Sequence, residues 1–241
     1  MEREVSALCA AASRSYLTAG RFPYYYAQSK LRFDLVFLTL LRRGLIPDGA
    51  RVIDLGCGQS LLAAVLLAAR RQFEIGVWAK TWPPPPANLL LQGMEREEEV
   101  AQWGHLALGN DVRIEIGDVS EAVLPAADVV VLLDVLHYLE ANAQLRLLQN
   151  VARALARGGQ LLMREADASA GLAFHLTRIV DRFGTLSHFG QRMRLPRMTF
   201  RTAAEWTALL QTLGFRVGVE PIDGRNPFAN VLLHARIGAA A

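Results

Sequence analysis

Residues 52–60 read Val-Ile-Asp-Leu-Gly-Cys-Gly-Gln-Ser, and this stretch carries the clearest chemistry in the chain. Val52, Ile53 and Leu55 form a short apolar strand with Asp54 near its end. Gly56 and Gly58 permit a tight turn, since neither has a Cβ. An Ala/Leu-rich helix follows from Leu61 to Arg71. A strand, a glycine turn and a helix N-terminus make a nucleotide-binding corner in α/β proteins. The dinucleotide fingerprint needs a third glycine, and Leu61 stands in its place. A carboxylate two residues before the first glycine also suits a ligand other than a pyrophosphate.

Three further acids fall at matching places. Apolar runs at Leu89–Met94, Val112–Ile116 and Asp128–Leu133 read as strands two, three and four, and they lead to Glu95, Asp118 and Asp134. The nearly unbroken apolar fourth run suits a parallel strand buried on both faces. Ligands of an open α/β sheet bind at the carboxyl ends of its strands, so four carboxylates in register mark one edge as the site. Taken singly, Asp54 also reads as a helix cap, Glu95 as part of the solvated Glu95–Glu99 cluster, and Asp118 as a turn residue.

The elements that position these acids follow from periodicity and breakers. Helices are expected over residues 4–18, Leu31–Leu45, Arg96–Leu108, Asn142–Ala156 and Thr202–Leu213, with an aromatic loop at Arg21–Tyr26. Residues 72–88 hold Trp78, Trp82 and Pro83 to Pro86, which no central strand accommodates, and read as an insertion loop. Gln160–Arg164 is the fifth strand. Phe215–Glu220 and Asn230–Arg236 pair as an antiparallel hairpin around Pro221, Asp223-Gly224 and Pro227. Alternation of β and α units implies a mainly parallel sheet with helices on both faces. Two regions lie outside that alternation: residues 1–46, a helical lid, and residues 166–200, an insertion covering the site. The latter holds Phe174, His175, Phe183, His188 and Phe189.

Composition narrows the class. The chain has 241 residues, 52% hydrophobic and 20% charged, which suits one folded α/β domain with additions. The net charge of +3 is small, and the densest basic stretch, Arg192, Arg194, Arg197 and Arg201, is interleaved with apolar residues. No nucleic-acid partner is expected. Cys9 and Cys57 are too few for a disulfide framework or a cysteine zinc site, and the five histidines lack paired spacing, so no metal is expected. No run reaches the ~18 apolar residues of a membrane span, and the N-terminus is a poor signal peptide, so the expected location is cytoplasmic.

The glycine turn resembles the first motif of class I S-adenosylmethionine (SAM)-dependent methyltransferases, Asp-x-Gly-x-Gly-x-Gly, and the strand ends through residue 165 resemble the later motifs. That resemblance implies a Rossmann-like sheet of seven strands in the order 3-2-1-4-5-7-6, the last strand antiparallel. It implies SAM as cofactor, with a SAM-binding domain over residues 47–241. Asp54, Gly56, Cys57 and Gly58 would surround the aminocarboxypropyl end. Glu95, after Met94, would accept the ribose hydroxyls. Asp118 would accept from the adenine amine beside the Val119 amide. Asp134 and Val135 would line the methyl-donor pocket. Two departures stand out: Ser60 replaces the last glycine of the motif, and Glu95 lies well beyond the ~20 residues usual between turn and ribose acid.

His137, in Asp134-Val135-Leu136-His137-Tyr138-Leu139, reads as a general base or as a packing histidine. Tyr24, Tyr25 and Tyr26 read as core or as a lid over the donor pocket. Lys30 reads as an ion-pair partner for cofactor or substrate, or as an exposed lysine. Arg164, closing the fifth strand, joins Tyr25, Tyr26 and Lys30 in the substrate and lid set. Cys57 reads as a small spacer. Given that resemblance, the apolar, aromatic additions at 21–45 and 166–200 point to O- or C-methylation of a small aromatic or acyl-type acceptor. The resemblance extends with less specificity to small methyltransferases of bacterial fatty-acid-like and aryl-polyene pathways, through 30–34, 134–138 and 227–231. That extension implies a carrier-protein-bound substrate as one form. A nucleic-acid methyltransferase would place Asn/Asp-Pro-Pro-aromatic after strand four, which is not the sequence here. A non-catalytic SAM-binding protein is the remaining alternative, and the oligomeric state is not readable.

Overall fold

The computed structural model describes residues 2–171, 198–222 and 229–238. One seven-stranded sheet carries the architecture, in the order β3-β2-β1-β4-β5-β7-β6. The strands are β1 (Arg51–Leu55), β2 (Leu90–Glu95), β3 (Arg113–Ile116), β4 (Ala127–Leu133), β5 (Leu155–Ala166), β6 (Phe215–Pro221) and β7 (Asn230–Ile237). Strands β1 to β5 pair in parallel, while β7 runs antiparallel to both β5 and β6. Order and directions are those the resemblance implies. Chain order reverses between β1 and β4, and a crevice opens outside the carboxyl ends of strands at such a switch point.

Helices α1 (Glu2–Arg14), α2 (Arg21–Phe33), α3 (Val36–Arg42) and α4 (Leu61–Glu74) cover one face. Helix α4 is buried almost all round, because the sheet lies beneath it and the N-terminal helices pack against it. The first 46 residues therefore share the core of β1 and β4; Leu8, Tyr16, Leu31, Leu40 and Leu41 are all buried in it. Helices α6 (Ala141–Ala154) and α7 (Ala203–Thr212) pack the opposite face through Leu147, Leu148, Val151, Trp206 and Leu210. Helix α5 (Glu98–Leu108) follows β2.

Four local expectations change. Arg21–Tyr26 opens α2 rather than forming a loop. The helix expected over Leu31–Leu45 is broken, since α2 ends at Phe33, Asp34 is extended and α3 starts at Val36. Asp34 turns inward to charged partners, and its Oδ1 accepts from the Val36 amide at 3.2 Å, which restarts the helix. Helix α6 stops at Ala154, because β5 begins at Leu155 with a register shift against β4. The fifth strand thereby runs past Arg164 to Ala166. Phe174, His175, Phe183, His188, Phe189, Arg192, Arg194 and Arg197 lie outside the described residues, as do Asp223, Gly224 and Pro227.

Candidate cofactor and acceptor site

The turn after β1 is built from left-handed residues: Gly56 (φ 71°), Gly58 (φ 58°) and Ser60 (φ 63°). The Gly56 and Cys57 amides donate to the Met94 carbonyl at 2.8 and 3.0 Å, which stitches the turn to the end of β2. A Cβ at Gly56 would lie 2.6 Å from Val135 Cγ2, so the segment after β4 presses directly on the turn. A Cβ at Gly93 would meet Cys57 Sγ at 2.6 Å. Cys57 fills the space that Gly93 leaves, accepts from Ser60 Oγ at 3.3 Å, and burial pushes its thiol well up. That is a spacer's environment, not that of a nucleophile. Ser60 holds a conformation costing a non-glycine residue about 1 kcal/mol, the structural consequence of lacking the motif's last glycine.

Asp54 is half-buried, and its carboxylate accepts no hydrogen bond from any described residue. Burial, and then the Glu95 carboxylate, push it up to about 7. Such an acid lacks a counter-charge. Gln59 Oε1 is likewise buried with no partner among the described residues, while Gln59 Nε2 donates to the Pro23 carbonyl at 3.1 Å. A ligand with a cationic amino group fits this corner: an unsatisfied acid, an unsatisfied amide oxygen and a turn whose backbone stands open at Gly58.

Glu95 is more committed than its sequence position suggests. Its Oε2 accepts from the Gly58 amide at 2.9 Å and its Oε1 from the Glu97 amide at 3.0 Å. It thus shapes the turn from the end of β2, and each oxygen keeps one further acceptor position. The long loop between turn and acid is accommodated because β2 still runs beside β1 in register, Asp54 opposite Gly93. Asp118 Oδ1 accepts from the Ser120 amide (2.8 Å) and hydroxyl (2.7 Å). Burial alone would raise it, but these bonds and Arg96 hold it below its ordinary value. Val119 is buried beside it, and Met94 Sδ lies 3.7 Å from a Cβ placed on the preceding Gly117.

Beyond β4 the chain is clamped. Asp134 has a left-handed backbone (φ 60°). Its amide donates to the Arg164 carbonyl at 3.0 Å, and both of its oxygens accept from the Arg164 guanidinium, Nε to Oδ1 at 2.9 Å. Glu165, only 1% exposed, holds the other end: Oε1 accepts from the Leu136 amide and Oε2 bonds His137 Nδ1, each at 2.8 Å. The His137 ring stacks on Phe200, 5.2 Å between centroids and 12° from parallel. Gln144 Nε2 donates to the Leu136, Leu139 and Thr199 carbonyls, and Oε1 accepts from Arg201 Nε. This fixes the height of the histidine turn (Leu136–Tyr138) against residues 199–201.

Arg164 does not stop at Asp134. Its Nη1 donates to Asp34 Oδ1, and Lys30 Nζ lies 2.9 Å from Asp34 Oδ2. Burial would raise Asp34, but Arg164 and Lys30 overcome it and hold that carboxyl far below the usual range. Lys30 is pushed down by burial and up, more strongly, by its acidic neighbours. It is therefore the partner of Asp34, within a group of two cations and two carboxylates whose charges balance. Burial pushes the Tyr26 phenol up beside the same group. Tyr25 instead faces out, 62% exposed, and is not drawn into the site.

The site residues absent from the sequence reading are Asp34, Gln59, Gln144 and Glu165. One signal was available for Glu165. Arg164 and Glu165 are adjacent charges ending the apolar run Leu161–Met163, and charges in a buried strand need partners. Among the described residues, no group of three His, Cys, Asp or Glu side chains could hold a metal ion, and no helix is long and apolar enough to cross a membrane.

Comparison with known proteins agrees with this fold. Residues 26–218 match a family model described as a methyltransferase domain. No curated protein matches the sequence. Among solved structures, the pyocyanin biosynthetic protein PhzM is similar over 93% of this chain and 61% of its own, at 22% identity and TM-score 0.61. The mitomycin 7-O-methyltransferase MmcR is similar over 92% of this chain and 60% of its own, at 23% identity and TM-score 0.57. The magnesium protoporphyrin IX methyltransferase ChlM of Synechocystis PCC 6803, with bound S-adenosylhomocysteine (SAH), is similar over 94% of this chain and 93% of its own, at 20% identity and TM-score 0.56. The chain thus spans about three fifths of the length of the first two.

Proposed function

The chain belongs to the methyltransferase-domain family, and from that membership we propose that it transfers a methyl group from SAM to a hydroxyl of a small aromatic or acyl-type acceptor. The cofactor, when bound, supplies a methyl group already activated by its sulfonium; the protein supplies binding, orientation and proton handling. Asp54 answers the cofactor's amino group, aided by Gln59, while Gly56, Cys57 and Gly58 let the backbone approach. Glu95 with Met94 receives the ribose hydroxyls, Asp118 with Val119 the adenine edge. Asp134 and Val135 form the wall of the donor pocket. Residues 1–46 act as the lid, with Tyr26 on its inner side.

The observation that carries the acceptor chemistry is the buried His137–Glu165 pair. With the Glu165 carboxylate as acceptor, Nδ1 is the donor nitrogen and the basic lone pair lies on Nε2. That tautomer removes a proton from an acceptor hydroxyl, and such assistance is worth roughly 10²–10⁴-fold. Neutral acceptors such as phenols and enols fit best, because the neighbouring cations Lys30 and Arg164 are already committed to carboxylates. One structural neighbour, the mitomycin 7-O-methyltransferase MmcR, is named for transfer to oxygen.

A carrier-protein-bound acyl acceptor is the second reading. Helix α2 supports it with exposed Arg21 and Arg32 and no acidic residue, whereas Arg201 is held by Gln144 and by the Trp206 ring. The test is methyl transfer from labelled SAM to a panel of phenols, enols and hydroxyacyl thioesters, with wild type and His137→Gln. Transfer to a hydroxyl that collapses in the variant is expected. SAH binding by calorimetry with no transfer to any hydroxyl acceptor would leave a non-catalytic SAM-binding protein.

A further inference from the structure

We propose that Asp34 is a positioning residue for the donor pocket, acting through Arg164 on Asp134 and so keying the N-terminal helices to the cofactor. This rests on the cofactor reading above. Asp34 occupies the two-residue break between α2 and α3. There the Asp34 side chain is only 12% exposed. Its side chain is then met by three donors: the Arg164 guanidinium, Lys30 Nζ and the Val36 amide.

Arg164 is 3% exposed and has its fork divided, Nη1 to Asp34 and Nε with Nη2 to Asp134. A guanidinium is planar, so fixing one edge fixes the other. Asp134 has a left-handed backbone, which persists while the surroundings over-determine it. Arg164 holds it by side chain and by carbonyl. The next residue, Val135, is the one in contact with the Gly56 turn. The chain of contacts therefore runs from the α2–α3 break through one arginine to the backbone against the cofactor's glycine turn. Removing the Asp34 charge leaves the guanidinium anchored to Asp134 alone, so Asp134 and Val135 lose their tie to the N-terminal helices and loosen together.

The experiment is SAH binding by calorimetry, alongside thermal unfolding, for wild type, Asp34→Asn, Asp34→Glu and Phe33→Ala. Asp34→Asn keeps the size and loses the charge, and is expected to weaken SAH binding about tenfold, a typical coupling for contacting charged groups. Asp34→Glu restores the charge and is expected to recover most of that loss. Phe33→Ala alters a 70% exposed ring on the same helix end and is expected to bind like wild type. Lowered melting temperature with unchanged SAH affinity in Asp34→Asn would overturn the proposal and leave Asp34 a structural ion pair. Failure of wild type to bind SAH would overturn the cofactor reading itself. If Asp34→Asn does not fold, Arg164→Lys reads the link from its other end: it keeps the charge without the fork, and unchanged SAH affinity there overturns the proposal.

Discussion

Arg164 and Glu165 are neighbours in β5, yet from opposite faces of the sheet they hold the two ends of one short segment, Asp134 to His137. Alternation along a strand sends successive side chains to opposite faces, which is what lets two adjacent residues grip one loop from both sides. The proposed donor-pocket wall and the proposed base are thereby set by a single dipeptide.

The first prediction concerns the base. Glu165→Gln keeps the shape of the side chain but replaces an acceptor-only oxygen with an amide, so Nδ1 loses its fixed tautomer. Turnover should fall by roughly 10²-fold with SAH affinity little changed. Single-turnover rates and SAH calorimetry on the same preparation check this. A loss confined to SAH affinity would assign Glu165 to cofactor binding instead.

Asp54 makes stability depend on pH with a definite sign. Its folded-state value, about 7, exceeds the unfolded ~3.9, so the folded protein binds the extra proton between them. Its stabilising contribution is present in full below about pH 4 and is lost as pH rises to 7. Asp34, held low, contributes with the opposite sign and in a lower window, losing its contribution as pH falls below about 4. Asp54→Asn should therefore gain stability relative to the ligand-free wild type between pH 5 and 8, by up to about 4 kcal/mol. SAM, by bringing a cation, should release roughly half a proton at pH 7 on binding to wild type and none on binding to the variant. Melting curves across pH, and calorimetry in buffers of different ionisation enthalpy, give both numbers.

Tyr16 should prove a stability residue with an effect on the turn. Its ring is fully buried, and its hydroxyl donates to the Gln59 carbonyl at 2.7 Å. Tyr16→Phe leaves that carbonyl without its partner and should cost about 1–3 kcal/mol in chemical denaturation. An unchanged midpoint would mean that the carbonyl finds another donor.

Two substitutions in the glycine turn should act in opposite directions. Ser60→Gly relieves a left-handed serine at φ 63° and should be neutral to stabilising by about 1 kcal/mol, with SAH binding retained. Gly56→Ala drives a methyl to 2.6 Å from Val135 and should abolish SAH binding. Thermal shift with and without SAH separates the two; SAH stabilisation of the Gly56→Ala protein would refute the close packing assigned to that turn.

Several parts of this molecule are local properties of its sequence. The strand-turn-helix at 51–61, the acids at the ends of successive apolar runs and the closing hairpin follow from period, breakers and residue type, which act over a few positions. The strand order came through the family resemblance of those same motifs. The helix break at Asp34, the rotation of Glu95 onto Gly58, and the Asp34–Arg164–Asp134 and Glu165–His137 pairings were not legible. In each, the partners lie between 28 and 130 residues apart, and propensity carries no information about which distant charge a buried carboxylate will meet. Tyr25 and Tyr26 make the same point side by side: identical in type and adjacent, one faces water and the other lies against the ion group, because the face α2 buries is chosen by packing. The sequence by itself determined that a strand, glycine turn and helix meet at 51–61 and which strand edge carries the acids. Only the tertiary structure decided which carboxylates are left open for a ligand and which are consumed in holding the site, because desolvation forces every buried charge to find a partner and folding alone brings the partners together.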